Sequence, residues 1–277
     1  MKGQGIIFNW IFITVVGVLF LSFFVGFAVK YQSIQKEKES FKLATGIDTS
    51  LAGLQSSNLF TTLTYQKKLN FDVFCDKFNV DSFSVPLQEK ILFAESLKTD
   101  KLHVWVKDFN FPYKVSQLYF IAGDTQFYLV GQNSLEFPTN FPVQTIEPSQ
   151  VQGKKGKFVY FSESQAQGSN YIIIKEHTIK YPDGSELPYF GDLVYGAIFS
   201  SKAQYSCNLQ RILDQLQSVN SIYLTKAQYF STWVGCSYDL TLFRRVPELI
   251  QAKDYTSLEE NQKNLGLLNE KFCKEVF

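Results

Sequence analysis

The chain has 277 residues, room for one short membrane anchor and roughly 230 residues of folded protein, as one large or two small domains. Its net charge of +1 leaves no long-range field to recruit nucleic acid. Aromatic residues make up 16%, with 27 Phe and 15 Tyr, which is too rich in large apolar side chains for a disordered tail.

The first element is an apolar run from Ile6 to Val29, preceded by a short flank, residues 1–5. The run has no charge and no proline, and its clearly polar side chains are Asn9, Thr14 and Ser22. As a helix it spans about 36 Å, enough for a ~30 Å hydrocarbon core with some tilt. A secretory signal has a shorter apolar core of ~7–15 residues followed by a small-residue cleavage site. Here the run passes directly into "KYQSIQKEKESFKLA". A retained transmembrane helix over 6–29 is therefore expected, crossing once. Trp10, Lys30 and Tyr31 serve as anchors at the two membrane interfaces. The good helix formers that follow predict a helical stalk over 30–45, ending before Gly46. "GIDTSLAGLQSSNLF" then reads as a turn or short capped helix, with Asp48 or Thr49 as N-cap.

Lys2-Gly3-Gln4 directly before the apolar run resembles the class III signal of archaeal type IV pilin-like proteins. That resemblance implies cleavage between Gly3 and Gln4 and retention of the helix. It departs from the pattern at Phe8, where such proteins carry an acidic residue. Lys2 serves equally as a plain flanking charge. Orientation is divided. Lys30, Lys36, Lys38 and Lys42 after the helix favour a cytoplasmic C-terminal domain by the positive-inside rule. The pilin-like start implies an outside domain, and four cysteines without metal-ligand spacing suggest disulfides of an oxidising compartment. The outside assignment is preferred.

From residue 46 to 200 the signals are those of a mainly antiparallel β domain, expected to be extracytoplasmic. "KLHVWVKDF" alternates, with Leu102, Val104 and Val106 on one face and His103, Trp105 and Lys107 on the other. "YKVSQLYFIA" and "TQFYLVG", joined through "GD", read as a hairpin. "QGKKGK", with Lys154, Lys155 and Lys157, reads as a solvated loop. "KFVYFSE", "NYIIIKE" and "HTIKY" are further strands, and "YPDGSE" is a tight turn. "DLVYGAIFS" fits a strand or a helix start. From 201 to 277 the period becomes helical, predicting a three-helix subdomain packed on the sheet. Its first helix carries a stripe of Leu209, Ile212, Leu213, Leu216, Val219 and Tyr223. The second contains Pro247, a candidate break. In the third, Thr256 and Glu259 have capping-box spacing, and Leu258, Leu265, Leu268 and Phe272 form the stripe. The whole is an α+β chain.

Cys75, Cys207, Cys236 and Cys273 allow three pairings. Cys207 and Cys236 lie at opposite ends of a long helix and cannot meet. An antiparallel helix arrangement predicts Cys236–Cys273; Cys75 and Cys207 remain and could pair across the sheet, the alternative being four free buried thiols. No metal site is expected, since there is no CxxC and His103 and His177 are far apart. No catalytic motif is present, and both histidines read as surface or hydrogen-bonded side chains.

The opening "FNWIF", the β segment from "ILFAESLKTDKLHVWVKDF" to "GDTQFYLV", and "GAIFSSKAQYSCNLQRILDQL" together resemble uncharacterised single-pass membrane proteins of small-genome archaea. That resemblance implies an archaeal envelope protein and no activity. The expected role is non-enzymatic binding or assembly, with the lipid bilayer as first partner and self-association or other envelope proteins as further ones. No cofactor, nucleic acid or small-molecule substrate is called for. The alternatives are an accessory subunit of a membrane complex or, third, a membrane-tethered enzyme.

Overall fold

The structure is a computed structural model and describes residues 4–54, 60–131, 134–233 and 239–271. It begins with one helix, α1 (Gln4–Gly53), of 50 residues, about 75 Å long. The expected stop at Gly46 does not occur, and Asp48 and Thr49 are helix-interior residues. The Thr49 hydroxyl donates to the Thr45 carbonyl at 2.9 Å, and the Ser50 hydroxyl to that of Gly46 at 2.8 Å. The reason lies in packing. Ser40, Ala44, Ile47 and Leu51, four residues of one helical face, are all buried. Burying Ile47 and Leu51 is worth about 1.5–3 kcal/mol each, more than the ~1 kcal/mol lost by a helical glycine.

Those residues sit on a six-stranded sheet built from β1 (Phe60–Val73), β2 (Lys77–Val80), β3 (Phe83–Pro86), β4 (Ile91–Phe93), β5 (Leu97–Asn110) and β6 (Lys114–Ala122), in the order β3-β2-β1-β5-β6-β4. All its pairings are antiparallel except β4 with β6. The alternation read in β5 is present, but both faces are covered. Leu102, Val104 and Val106 pack in the cluster that holds Ile47 and Leu51 of α1. Trp105 and Phe109 enter a second, larger core on the opposite face.

The second sheet contains β7 (Phe127–Val130), β8 (Val143–Ile146), β9 (Lys157–Tyr160), β10 (Tyr171–Ile174), β11 (Thr178–Lys180) and β12 (Glu186–Pro188), in the order β12-β11-β10-β9-β7-β8. It is mixed: β8, β7, β9 and β10 run parallel, and β10, β11 and β12 antiparallel. The mainly antiparallel expectation therefore fits only the first sheet. The expected hairpin of β6 with β7 is absent. Both edges of β6 are already taken, by β5 and β4, so β7 pairs in the other sheet. All four residues of β7 are buried, as in a parallel strand covered on both faces. The turn at "YPDGSE" forms as read, with the Gly184 N–H donating to the Tyr181 carbonyl at 2.9 Å.

Among the described residues four helices follow: α2 (Leu193–Phe199), α3 (Lys202–Trp233), α4 (Leu240–Ala252) and α5 (Tyr255–Lys271). The ambiguous "DLVYGAIFS" is thus helical, and every residue of α2 is buried. Leu209, Ile212, Leu213 and Leu216 of α3 are buried as expected, while Val219 and Tyr223 are half-buried. Pro247 does not break α4. A helical proline cannot donate to the carbonyl four residues back, here Phe243. The buried Asn220 of α3 donates its amide to that carbonyl at 2.9 Å instead. The Thr256–Glu259 capping box does not form. Asp254 caps α5 by accepting from the Ser257 N–H at 3.0 Å, and Glu259 turns to Lys263 and His177. Among the described residues, buried side chains of α2, α3, α4, α5 and both sheets share one core.

Candidate functional site

The feature with the clearest functional content is the division of α1 between solvent and core. From Trp10 to Glu39 the side chains are exposed apart from Val16, and from Ser40 onward one face is buried. Trp10 is 69% exposed and Tyr31 54%, and Lys30 is exposed beside it. The 21 helical steps from Trp10 to Tyr31 span about 32 Å, the thickness of a hydrocarbon core. Within that stretch Thr14 donates to the Trp10 carbonyl and Ser22 to the Val18 carbonyl, each at 2.8 Å. Both hydroxyls are satisfied inside the helix, as an apolar surrounding requires. The helix is long and apolar enough to cross a membrane. Gly3 lies outside the described residues, and Gln4 is the first residue of α1.

The other end of α1 is seated in the head by contacts of several kinds. Ala44, Ile47 and Leu51 share a core with Phe71, Phe78 and Val80. The Lys90 ammonium, on a residue only 9% exposed, donates to the Asp48 carboxylate at 2.9 Å. Lys67 pairs with Glu39 at 2.9 Å, Ser82 with Ser40 at 3.5 Å, and Phe83 meets Phe41 edge-on at 5.0 Å between ring centres. Aliphatic packing, a shielded ion pair and an aromatic contact together fix the helix against rotation and sliding.

Within the β1–β2 turn, Cys75 forms a disulfide with Cys207, their Cα atoms 5.8 Å apart. The bridge joins a turn of the first sheet to the start of α3. Around it α3 carries a second, polar stripe. Gln204 donates to the carbonyls of Phe74 and Leu92, both at 3.1 Å, and Asn208 to that of Leu92 at 2.6 Å. Arg211 donates to the carbonyls of Cys75 and Gln88, both at 2.7 Å. The spacing 204, 208, 211 was visible in sequence as a helical face, but its role required the loop carbonyls it meets. Cys236 and Cys273, the other expected pair, lie outside the described residues.

The basic run is not a solvated loop throughout. Lys157 opens β9 and is 4% exposed. Its ammonium donates to Glu95 at 2.7 Å and to the carbonyls of Ser200 at 2.9 Å and Ala197 at 3.4 Å. It therefore neutralises the C-terminal end of α2, where helix carbonyls are unpaired. Burial pushes its pKa down, and Glu95 opposes the shift. Gly156 makes this turn possible: a Cβ there would lie 2.1 Å from the Gln126 carbonyl oxygen. Lys154 lies over the Tyr128 ring at 5.0 Å.

The histidines have unrelated surroundings. His103 Nδ1 is 3.1 Å from the Thr62 hydroxyl, and its ring stacks on Phe60. Burial lowers its pKa, with Asp124 acting in the opposite sense. His177 is 3.7 Å from Glu259 and 3.8 Å from Glu176. Among the described residues no group of His, Cys, Asp and Glu could hold a metal ion. A cleft of about 720 Å³ is bordered by Phe161, Lys175, Glu176, Tyr189 and Val194. Two of its polar side chains are engaged: Lys175 with Glu163 and Glu186, and the Tyr189 hydroxyl with the carbonyls of Lys175 and Glu176. Comparison with family models, curated proteins and solved structures finds no match for this chain.

Proposed function

We propose that the chain is a single-pass membrane protein that holds a folded head at fixed height and orientation for a non-enzymatic binding or assembly role. One observation carries the reading: a single uninterrupted helix is exposed and apolar over its first part and built into the head's core over its last. A flexible tether would satisfy anchoring alone. A buried seat, an ion pair and a 50-residue helix add rigidity, which matters when a partner must be met in a set geometry.

The head is assigned to the outside of the membrane. The Cys75–Cys207 bridge supports this, because disulfides persist in oxidising compartments. The likeness of Lys2-Gly3-Gln4 to archaeal pilin-like signals supports an envelope protein of that kind. The test is proteinase K on intact cells, with carbonate extraction alongside. The expected result is a membrane-retained chain whose head is digested from outside. A head protected until lysis would overturn the orientation, and release by carbonate would overturn the anchor.

A further inference from the structure

The lysines that follow the apolar stretch argue against an outside head when counted as topology signals. Their placement gives them another use. Lys30, Lys36, Lys38 and Lys42 are exposed on α1. β1 leaves its register with β5 between Thr64 and Leu69, and the bulge carries exposed Lys67 and Lys68. The head residues that touch α1 nearest its apolar stretch are Lys67, Ser82 and Phe83, at Glu39, Ser40 and Phe41. The bulge and the β2–β3 turn are thereby joined to the stalk as one rim.

The charge of this rim is biased. It holds six lysines against three carboxylates, Glu37, Glu39 and Asp81, a net of +3. The chain as a whole carries +1, so the remainder carries −2. Two of the carboxylates are already engaged, Glu39 with Lys67 and Asp81 with the backbone and side-chain amides of Asn70. The height also fits. Residues 39–41 lie about 15–18 Å beyond Val29 along the helix. Headgroups fill about 5–8 Å of that distance. The remaining gap is about 10 Å, one Debye length at ~0.1 M salt, and a tilt of about 20° closes part of it on one side. Lys36 and Lys38 fall inside the gap. Phe41, 50% exposed, and Phe83 border an open cleft of about 430 Å³ beside Lys38.

We propose that this rim binds the anionic lipid headgroups of the leaflet on the head's own side, so that the head leans on the membrane that anchors it. The proposal rests on α1 being the anchor. The full chain is reconstituted in nanodiscs of neutral phosphatidylcholine, with or without anionic phosphatidylglycerol. Each lysine's reaction with an amine-acylating reagent is then followed by peptide mass spectrometry. Lys36, Lys38, Lys67 and Lys68 are expected to react about fivefold more slowly in the anionic discs, with the difference lost at high salt. Lys226 and Lys263, on α3 and α5, are expected to be unchanged. Equal reactivity of the rim in both discs overturns the proposal and leaves the anchor intact. So does uniform slowing of all exposed lysines, or equal protection in neutral discs by inorganic phosphate alone. A chain that does not enter either disc overturns the anchor, and the proposal with it.

Discussion

Replacing both Cys75 and Cys207 by alanine removes a cross-link between residues 132 apart in sequence. The chain-entropy relation gives about 5 kcal/mol for a loop of that length. For a domain of this size, with about 2–4 °C per kcal/mol, the melting point should fall by roughly 10–20 °C. The position of α3 should nevertheless survive. Gln204, Asn208 and Arg211 still donate to carbonyls of Phe74, Cys75, Gln88 and Leu92, and net hydrogen bonds of this kind contribute about 1 kcal/mol each. The assay is urea denaturation of the full chain in detergent, with and without reductant, plus amide exchange over 204–216. Reduced wild type and the reduced double variant should coincide. If the variant loses further stability on reduction, Cys236 and Cys273 are also bridged. A double variant as stable as the oxidised wild type would refute the cross-link account. Loss of protection over 204–216 at native conditions would refute the claim that the polar stripe, with the buried Leu209, Ile212, Leu213 and Leu216, keeps α3 docked without the bridge.

Leu51→Ala should cost about 2–5 kcal/mol and raise exchange at residues 44–54 of α1 without altering membrane retention; unchanged exchange would mean the helix is not seated by that face. Asn220→Ala should destabilise strongly, but less so with Pro247→Ala, which restores an N–H for the Phe243 carbonyl; a double-mutant cycle should give a coupling of about 1 kcal/mol, and additivity would refute the compensation. Burial raises the pKa of Tyr65 to about 12 and also raises those of Tyr113, Tyr181 and Tyr205. A raised folded-state value means stability that is full below pH ~10 and lost as pH climbs through the folded-state values. The share of tyrosinate absorbance that comes from these four should therefore appear together with unfolding above pH 10; ionisation of all 15 tyrosines in a chain that stays folded would contradict that burial.

Some of this was legible in residues 4–54 and 97–110. The apolar run announces itself because 24 residues without charge or proline make a helix long and apolar enough to cross a membrane, and the alternation of β5 follows from the pleat. The end of α1 was not legible: Gly46 is a local stop signal, and only the sheet beneath Ile47 and Leu51 outweighs it. The β6–β7 turn signal failed for the same kind of reason, since pairing was decided by which edges were already occupied. Lys157 reads as one more surface charge until Glu95 and the end of α2, distant in sequence, are brought to it. Pro247 looks like a break because its compensating donor, Asn220, lies on another helix. Of the candidate residues, Trp10, Lys30 and Tyr31 are exposed on α1, and Cys75 meets Cys207, although at a turn and a helix and not across a sheet.

Because α1 runs without interruption from the apolar stretch into the core, the azimuth of the head is locked to the azimuth of the apolar half of the rod. A helix turns about 100° per residue. One residue inserted between Tyr31 and Glu37 would lift the head by only about 1.5 Å yet swing it through more than a quarter circle. Seven inserted residues would lift it about 10 Å and leave it within roughly 20° of its original bearing. Helical phase and stature are thus separable by insertion length, and any partner that meets the head from one side will respond to the first far more sharply than to the second.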